Sequence, residues 1–316
     1  MNASATMHSK VKAYLTERRR AGYSMIGEGK QLASFARFTD RSGYRGPITR
    51  DVASRWALAS RQGRRITAAR RIEVLRGFAR YCQNIDQRSE VPPLLLFGPG
   101  HRRLTPHIYS DIEIGLLLRA ATELPPANGL RGITCATILG LIASCGLRIS
   151  EAVGLRRTDV DLSEALLCIR DSKYNSSRLV PLHPTTVRAL RDYIHRRDRD
   201  PLAARSDAFF VFDAGQPALA QKIHYAFRVN LRPHLRFQPR GGHPRLRIHD
   251  IRHTFVCRCI ERWYREHVDL NQHILALSTY IGHRCITGTY WYISAMPSLM
   301  ALAARRLTPP ATGGAP

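Results

Sequence analysis

Apolar residues recur at helical spacing through most of the chain. Val11, Tyr14 and Leu15 form one such set, and Leu32, Phe35, Ala36 and Phe38 form another, with arginines between them. Thr49 to Ala59 reads as a short capped helix after Pro47, and Ile66 to Tyr81 carries Ile72, Leu75, Phe78 and Ala79 on one face. The other face of that helix shows Arg70, Arg71, Arg76 and Arg80. A stripe of this kind is either a solvated face or a surface for a polyanion. Residues 8 to 88 are thus predicted to be helical throughout.

Pro92, Pro93, Gly98, Pro99 and Gly100 then break the pattern, which puts a linker at Val91 to Arg103 and a domain boundary near residue 100. Beyond it, Ser110 is placed to cap a helix to about Ala121, and an apolar helix runs from Ile133 to Ser144 and stops at Gly146. Two short strands, Leu166 to Ile169 and Leu179 to Leu182, flank a polar turn from Asp171 to Ser177. A helix from about Thr186 to Arg199 follows, then an apolar strand at Phe209 to Phe212, and helices again from Leu219. After Arg306 the chain turns to Pro, Gly, Ala and Thr, which predicts a disordered tail at 307–316. The expected fold is mainly α with a small antiparallel β-sheet (α+β). A helical domain at 1–100 precedes a larger domain at 101–306.

Charge narrows the class. The 316 residues carry 49 Lys and Arg against 24 Asp and Glu, a net +25. Such a field attracts polyanions, and nucleic acids are the most abundant of these. Arginine dominates, which suits bidentate phosphate contacts, although a GC-rich coding bias gives the same skew. The lysines are only Lys10, Lys12, Lys30, Lys173 and Lys222, so a lysine at a motif position carries weight. The seven cysteines sit singly, without zinc spacing, and read as buried free thiols of a reducing cytosol. No apolar run approaches about 18 residues and the start lacks a leader pattern, so a soluble cytoplasmic chain is expected.

Five stretches hold candidate chemistry: Cys145-Gly-Leu-Arg-Ile-Ser-Glu151, Asp171-Ser-Lys-Tyr-Asn-Ser-Ser-Arg178, His249-Asp-Ile-Arg-His253, Tyr280-Ile-Gly-His283 and Thr289-Tyr-Trp-Tyr292. Singly each is weak. Arg148 reads as a surface arginine, Lys173 as a solvated turn residue, and His283 and Tyr292 as core residues. His249 and Arg252 lie one helical turn apart and so share a face.

Together and in order, these stretches resemble the catalytic domain of the tyrosine recombinase (phage integrase) family over about residues 104 to 300. The resemblance falls on Arg148, Lys173, His249, Arg252, His283 and Tyr292. Flanking residues agree: Glu151, the run Arg178-Leu-Val-Pro-Leu182, and His253-Thr-Phe. Trp263-Tyr-Arg-Glu and Thr289-Tyr-Trp-Tyr292 look more like the transposon-borne integrases of this family. The N-terminal part is similar to the family's core-binding domain only in helical character and position.

The resemblance implies DNA cleavage and rejoining through a 3′-phosphotyrosyl bond, with no metal, ATP or other cofactor. A phenol of pKa near ~10 is a poor nucleophile unless cations and a base assist it. Arg148 and Arg252 would hold the non-bridging oxygens in the transition state. His249 is a candidate base or hydrogen-bond partner, and His283 would bond the scissile phosphate. Lys173 would protonate the leaving 5′-oxygen. Tyr290 and Tyr292 point about 200° apart on a helix; the family's spacing from the Gly-His histidine selects Tyr292 and leaves Tyr290 and Tyr280 to packing.

The implied partner is double-stranded DNA, bound by a homo-tetramer on two synapsed duplexes, with partner recombinases an open question. Met296, Leu299, Met300 and Leu302 give an apolar face near Pro297 that packs on its own domain or on a neighbouring protomer. Two other readings stay open: a type IB topoisomerase-like enzyme, and a catalytically inactive DNA-binding regulator. A helical N-terminal domain and transposon-like tail oppose the first. A complete set of site positions opposes the second.

Overall fold

The computed structural model describes residues 6–60, 63–101, 103–172, 176–283, 285–295, 299–301 and 304. It divides into two compact units, Met1–Arg103 and Leu104–Pro316. Its helical content and one small antiparallel sheet are those expected of the sequence.

The first unit contains α1 (Met7–Arg20), α2 (Ile26–Arg41), α3 (Arg50–Leu58) and α4 (Arg65–Ile85). Thr6 and Thr49 start α1 and α3 by accepting the amides of Ser9 and Val52, as threonine N-caps do. The apolar stripes of the four helices meet in one core. Phe35 stands edge-on to Trp56 at 5.2 Å and to Phe78 at 6.4 Å, and Tyr14 closes on Phe78 at 5.5 Å.

The arginine face of α4 is only partly solvated. Arg70 Nε donates to the Gly100 carbonyl at 2.7 Å, Arg71 Nη1 donates to the Trp56 carbonyl at 2.8 Å, and Arg76 donates to Pro92. Arg80 is exposed. Three of the four guanidiniums therefore fasten other segments of the first unit to α4.

The second unit opens with α5 (Asp111–Thr122), α6 (Leu130–Cys145) and the short α7 (Ile149–Val153). Ser110 and Glu113 cap α5 reciprocally. Helix α6 is apolar almost all round, and it is buried accordingly. It ends at Gly146, whose φ of 61° lies in the left-handed region and where a Cβ would sit 2.4 Å from Phe255 Cδ1.

Three strands follow in order, β1 (Val160–Asp161), β2 (Leu166–Ser172) and β3 (Ser176–Pro181), all antiparallel. The hairpin is longer than the sequence pattern indicates, because polar residues 170–172 and 176–178 continue its ladder. Strand β1 has too few residues to show an alternation.

Next come α8 (Pro184–Arg197), α9 (Pro201–Ala204), α10 (Ala220–Tyr225), a wide π turn (Ala226–Leu231) and α11 (Arg232–Leu235). Helices α12 (Ile248–Arg265), α13 (Leu270–Tyr280) and α14 (Thr287–Ala295) complete the unit. Phe209–Phe212 does not join the sheet. Its apolar side chains are buried, while its backbone bonds Leu155, Gln216 and Arg197 individually. Among the described residues no helix is long and apolar enough to cross a membrane.

Phe78 touches rings from α1 and α2 and is fully buried. Phe78→Ala is expected to lower the stability of the first unit by about 3–5 kcal/mol. Chemical denaturation followed by circular dichroism measures this, and a loss below about 1 kcal/mol would mean the core closes around the gap.

Candidate active site

Helices α7 and α12 begin with the same device. Each has an arginine at the cap position and an acidic residue three positions on, whose carboxylate accepts the arginine's own amide: Arg148 with Glu151 at 2.9 Å and Arg247 with Asp250 at 3.0 Å. The carboxylates also hold the capping guanidiniums. An acidic group in the first turn suits the positive end of a helix. Here it also fixes the direction of an arginine side chain.

Glu151 collects a second guanidinium from β3. Arg178 Nη1 and Nη2 donate to its two oxygens at 3.1 and 2.9 Å, and Arg178 Nε donates to the Tyr280 carbonyl at 2.7 Å. Arg252 Nη1 stands 4.0 Å from the same carboxylate. The Glu151 side chain is only 4% exposed, so it is a buried anion beside three cations. Burial pushes its carboxyl up, but the bonds from Arg178 and Arg148 outweigh that and hold it below its ordinary value of 4.5.

The Gly-His motif owes its glycine to these arginines. Gly282 has φ 67°, and a Cβ there would lie 2.8 Å from Arg178 Nη1 and 3.3 Å from Arg148 Nη1. Its carbonyl accepts from Arg148 Nη2 at 2.7 Å, and the neighbouring Ile281 carbonyl accepts from Arg252 Nη2 at 2.6 Å. Arg252 Nη1 donates to the Gly146 carbonyl at 2.6 Å. The turn after α13, the end of α6 and the start of α7 are thereby locked around two arginines.

Arg252 is 1% exposed, and burial with the nearby Arg148 lowers it to about 10, so it stays charged at neutral pH. His249 stands three residues before it on α12. Crowding by the protein, then Arg252, Arg247 and Arg148, lower its imidazole to about 4. Its ring opens to solvent, which tempers the first cause and leaves the cations. It is neutral at pH 7. His283 Nδ1 lies 2.8 Å from Thr289 Oγ1, which fixes the ring against α14.

The two tyrosines of α14 part as helical spacing requires. Tyr292 is 2% exposed, its ring parallel to His283 at 6.4 Å. Its Oη lies 2.6 Å from His253 Nδ1. Tyr290 is 40% exposed and donates to Asn271 Oδ1 at 3.3 Å, so it is a surface residue rather than a packing one. Tyr280 is the packing aromatic, stacked on Phe255 at 5.8 Å. Arg148, His249, Arg252, His283 and Tyr292 thus share one neighbourhood, and Lys173 lies outside the described residues.

The motifs alone leave Glu151, Arg178 and His253 as flanking residues, yet Glu151 bonds Arg148, His253 bonds Tyr292, and Arg178 bonds Glu151. For His253 a signal exists in the sequence, since it is one helical turn past His249 and next to Arg252. For Arg178 none exists, because its partners are distant in the chain.

Residues 114–297 match the model of the phage integrase family. The chain belongs to that family, the tyrosine recombinases, whose members are site-specific recombinases. Within it, the chain is 36% identical over 310 residues to integrase/recombinase y4rB of Sinorhizobium fredii, covering 96% of this chain and 97% of that protein. It is 33% identical over 198 residues to tyrosine recombinase XerC of Chlamydia trachomatis, covering 62% of this chain and 59% of that one. The fold is similar to that of the Tn1549 transposon integrase in complex with circular intermediate DNA (TM-score 0.65, 18% identity, 95% of this chain and 99% of that one). It is also similar to that of a lambda integrase dimer bound to a COC′ core site (TM-score 0.65, 14% identity, 92% and 78%).

Because the folded carboxyl of Glu151 lies below 4.5, its stabilisation is fully present above that pH and is lost as pH falls through the depressed value. Glu151→Gln is expected to cost about 3–5 kcal/mol at pH 7, since it leaves buried guanidiniums uncompensated. The gap between wild type and variant should narrow as pH drops below 4.5. Denaturation at a series of pH values checks both. A gap unchanged down to pH 2 would contradict the assigned charge state.

Proposed function

We propose that this recombinase cleaves and rejoins duplex DNA through a 3′-phosphotyrosyl bond at Tyr292, using neither metal nor ATP, in the integration or excision of a mobile element. The observation that carries the reading is the meeting of the Tyr292 phenol with His253, His283 and the charged Arg252, side chains drawn from α12, α14 and the turn between α13 and α14. Arg148 and Arg252 act on the non-bridging oxygens of the scissile phosphate. With Arg178 they make three cations against one Glu151 carboxylate, leaving an excess of two positive charges for a phosphate whose negative charge grows in the transition state.

His249, neutral and open to solvent, is reachable by an arriving phosphate and hydrogen-bonds it; His283 does the same from the other segment. Lys173, between β2 and β3 in sequence, protonates the leaving 5′-oxygen. The phosphotyrosyl bond conserves the energy of the broken phosphodiester, so a 5′-hydroxyl from a second duplex reseals the strand.

Residues 1–100 serve as the core-binding domain and 101–306 as the catalytic domain, a reading supported by the two compact units. The excess of 49 basic over 24 acidic side chains favours salt-dependent binding to double-stranded DNA. The assembly is four copies on two synapsed duplexes in the cytoplasm.

The test uses nicked suicide duplexes tiled over the DNA that flanks the chain's own coding sequence, with covalent protein–DNA adduct read on a denaturing gel. Wild type and Tyr290→Phe should form adduct, and Tyr292→Phe should form none. Arg148→Ala should slow adduct formation by about 10²–10³-fold. Adduct from Tyr292→Phe would overturn the nucleophile assignment.

A further inference from the structure

Helix α12 presents three polar side chains on one face: His249, Arg252 and His253, at positions i, i+3 and i+4. The His253 ring lies edge-on to His249 at 4.4 Å, and is tilted against Tyr292 at 5.4 Å and Trp291 at 6.2 Å. Its Nδ1 is the polar atom 2.6 Å from the phenol oxygen, a short contact in a half-buried setting.

We propose that His253 is the general base of strand cleavage, accepting the Tyr292 proton at Nδ1 as the phenol oxygen attacks phosphorus. The proposal rests on the reading of Tyr292 as nucleophile.

A base must be unprotonated at rest. Burial, with His249, Arg247, Arg252 and His283 facing the ring, lowers the His253 imidazole to about 2, so it is neutral throughout the physiological range. With the proton on Nε2, Nδ1 accepts the phenol O–H. Burial is the largest of these causes and persists, but the Arg252 charge is one that a DNA phosphate offsets. A seated phosphate therefore raises the basicity of His253 and leaves it weak in the free enzyme, which ties deprotonation of Tyr292 to the presence of substrate.

The atoms balance in both directions. In cleavage the Oη–H bond breaks and its proton moves to Nδ1, the Oη–P bond forms, and the P–O5′ bond breaks with a proton supplied to the leaving oxygen by Lys173. In resealing, a 5′-hydroxyl attacks phosphorus and gives up its proton to Lys173. The Oη–P bond breaks, and the His253 imidazolium returns its proton to Tyr292. His249 keeps a different task, because its ring opens to solvent where a phosphate can meet it.

The test is single-turnover adduct formation on the nicked duplexes, comparing wild type, His253→Asn, His253→Gln and Tyr292→Phe. Asparagine keeps a hydrogen-bond acceptor near the position of Nδ1 but cannot take the proton. His253→Asn is expected to bind DNA with wild-type affinity and to form adduct about 10²–10⁴-fold more slowly. Global replacement of tyrosine by ring-fluorinated tyrosine, whose phenol is more acidic, should restore much of that rate and change wild type little.

His253→Gln gives the same readout should the asparagine variant fail to fold by circular dichroism. A variant that cleaves at the wild-type rate or faster would overturn the proposal and leave His253 as a mere holder of the phenol. So would a slow variant that fluorotyrosine does not restore. Adduct surviving in Tyr292→Phe would sink the reading of the nucleophile itself, a failure separate from that of His253.

Discussion

The buried carboxylate of Glu151 is the constraint on which the rest of the second unit's chemistry depends. It binds Arg148 from its own helix start and Arg178 from the hairpin, and lies 4.0 Å from Arg252 on α12. Without it, three guanidiniums would share a space of low dielectric with no counter-charge, and their mutual repulsion would drive them apart or into solvent. With it, the carbonyls of Gly146, Tyr280, Ile281 and Gly282 complete the arginines' bonding at distances of 2.6 to 2.7 Å. One anion thus gathers α7, the sheet, α12 and the turn before α14. It also leaves the cluster net positive, which is the condition for attracting and holding a phosphate.

The same electrostatics account for the protonation states. Burial first, and then the cations that prepare the site for an anion, keep His249 and His253 neutral, at about 4 and about 2. Neutral imidazoles can accept protons or bond a phosphate, whereas imidazoliums would add to a charge already in excess. The glycine of the Gly-His motif belongs to this scheme too. Its positive φ lets its backbone bend tightly, and its missing Cβ lets two guanidiniums approach the backbone.

Helical periodicity made most of the fold legible. The stripes through Leu32, Phe35 and Ala36 and through Ile72, Leu75 and Phe78 are the first unit's core, because local spacing alone decides which side chains share a face. Phe209–Phe212 misled for the opposite reason. A short apolar run states that a segment is buried but not whether its backbone pairs in a sheet, and here it bonds Gln216 and Ala218 just beyond it, and Leu155 and Arg197 before it, instead of a strand of the sheet. For Arg70, Arg71 and Arg76 the sequence left a solvated face and a polyanion surface open and did not show these bonds, because their acceptors are carbonyls, which every residue has and no sequence pattern marks. The site followed the same division. His249, Arg252 and Tyr292 lie in recognisable motifs, whereas the roles of Glu151, Arg178 and His253 come from contacts between segments separated by up to 102 residues.

The proposed function makes Tyr292 the covalent carrier of a DNA 3′-phosphate. The most direct test is to trap the adduct, digest protein and DNA, and locate the phosphonucleotide by fragment-ion mass spectrometry within the peptide that spans Tyr290 and Tyr292. The added mass is expected on Tyr292, with Tyr290 unmodified. A phosphonucleotide on Tyr290, or on any residue outside that peptide, would contradict it.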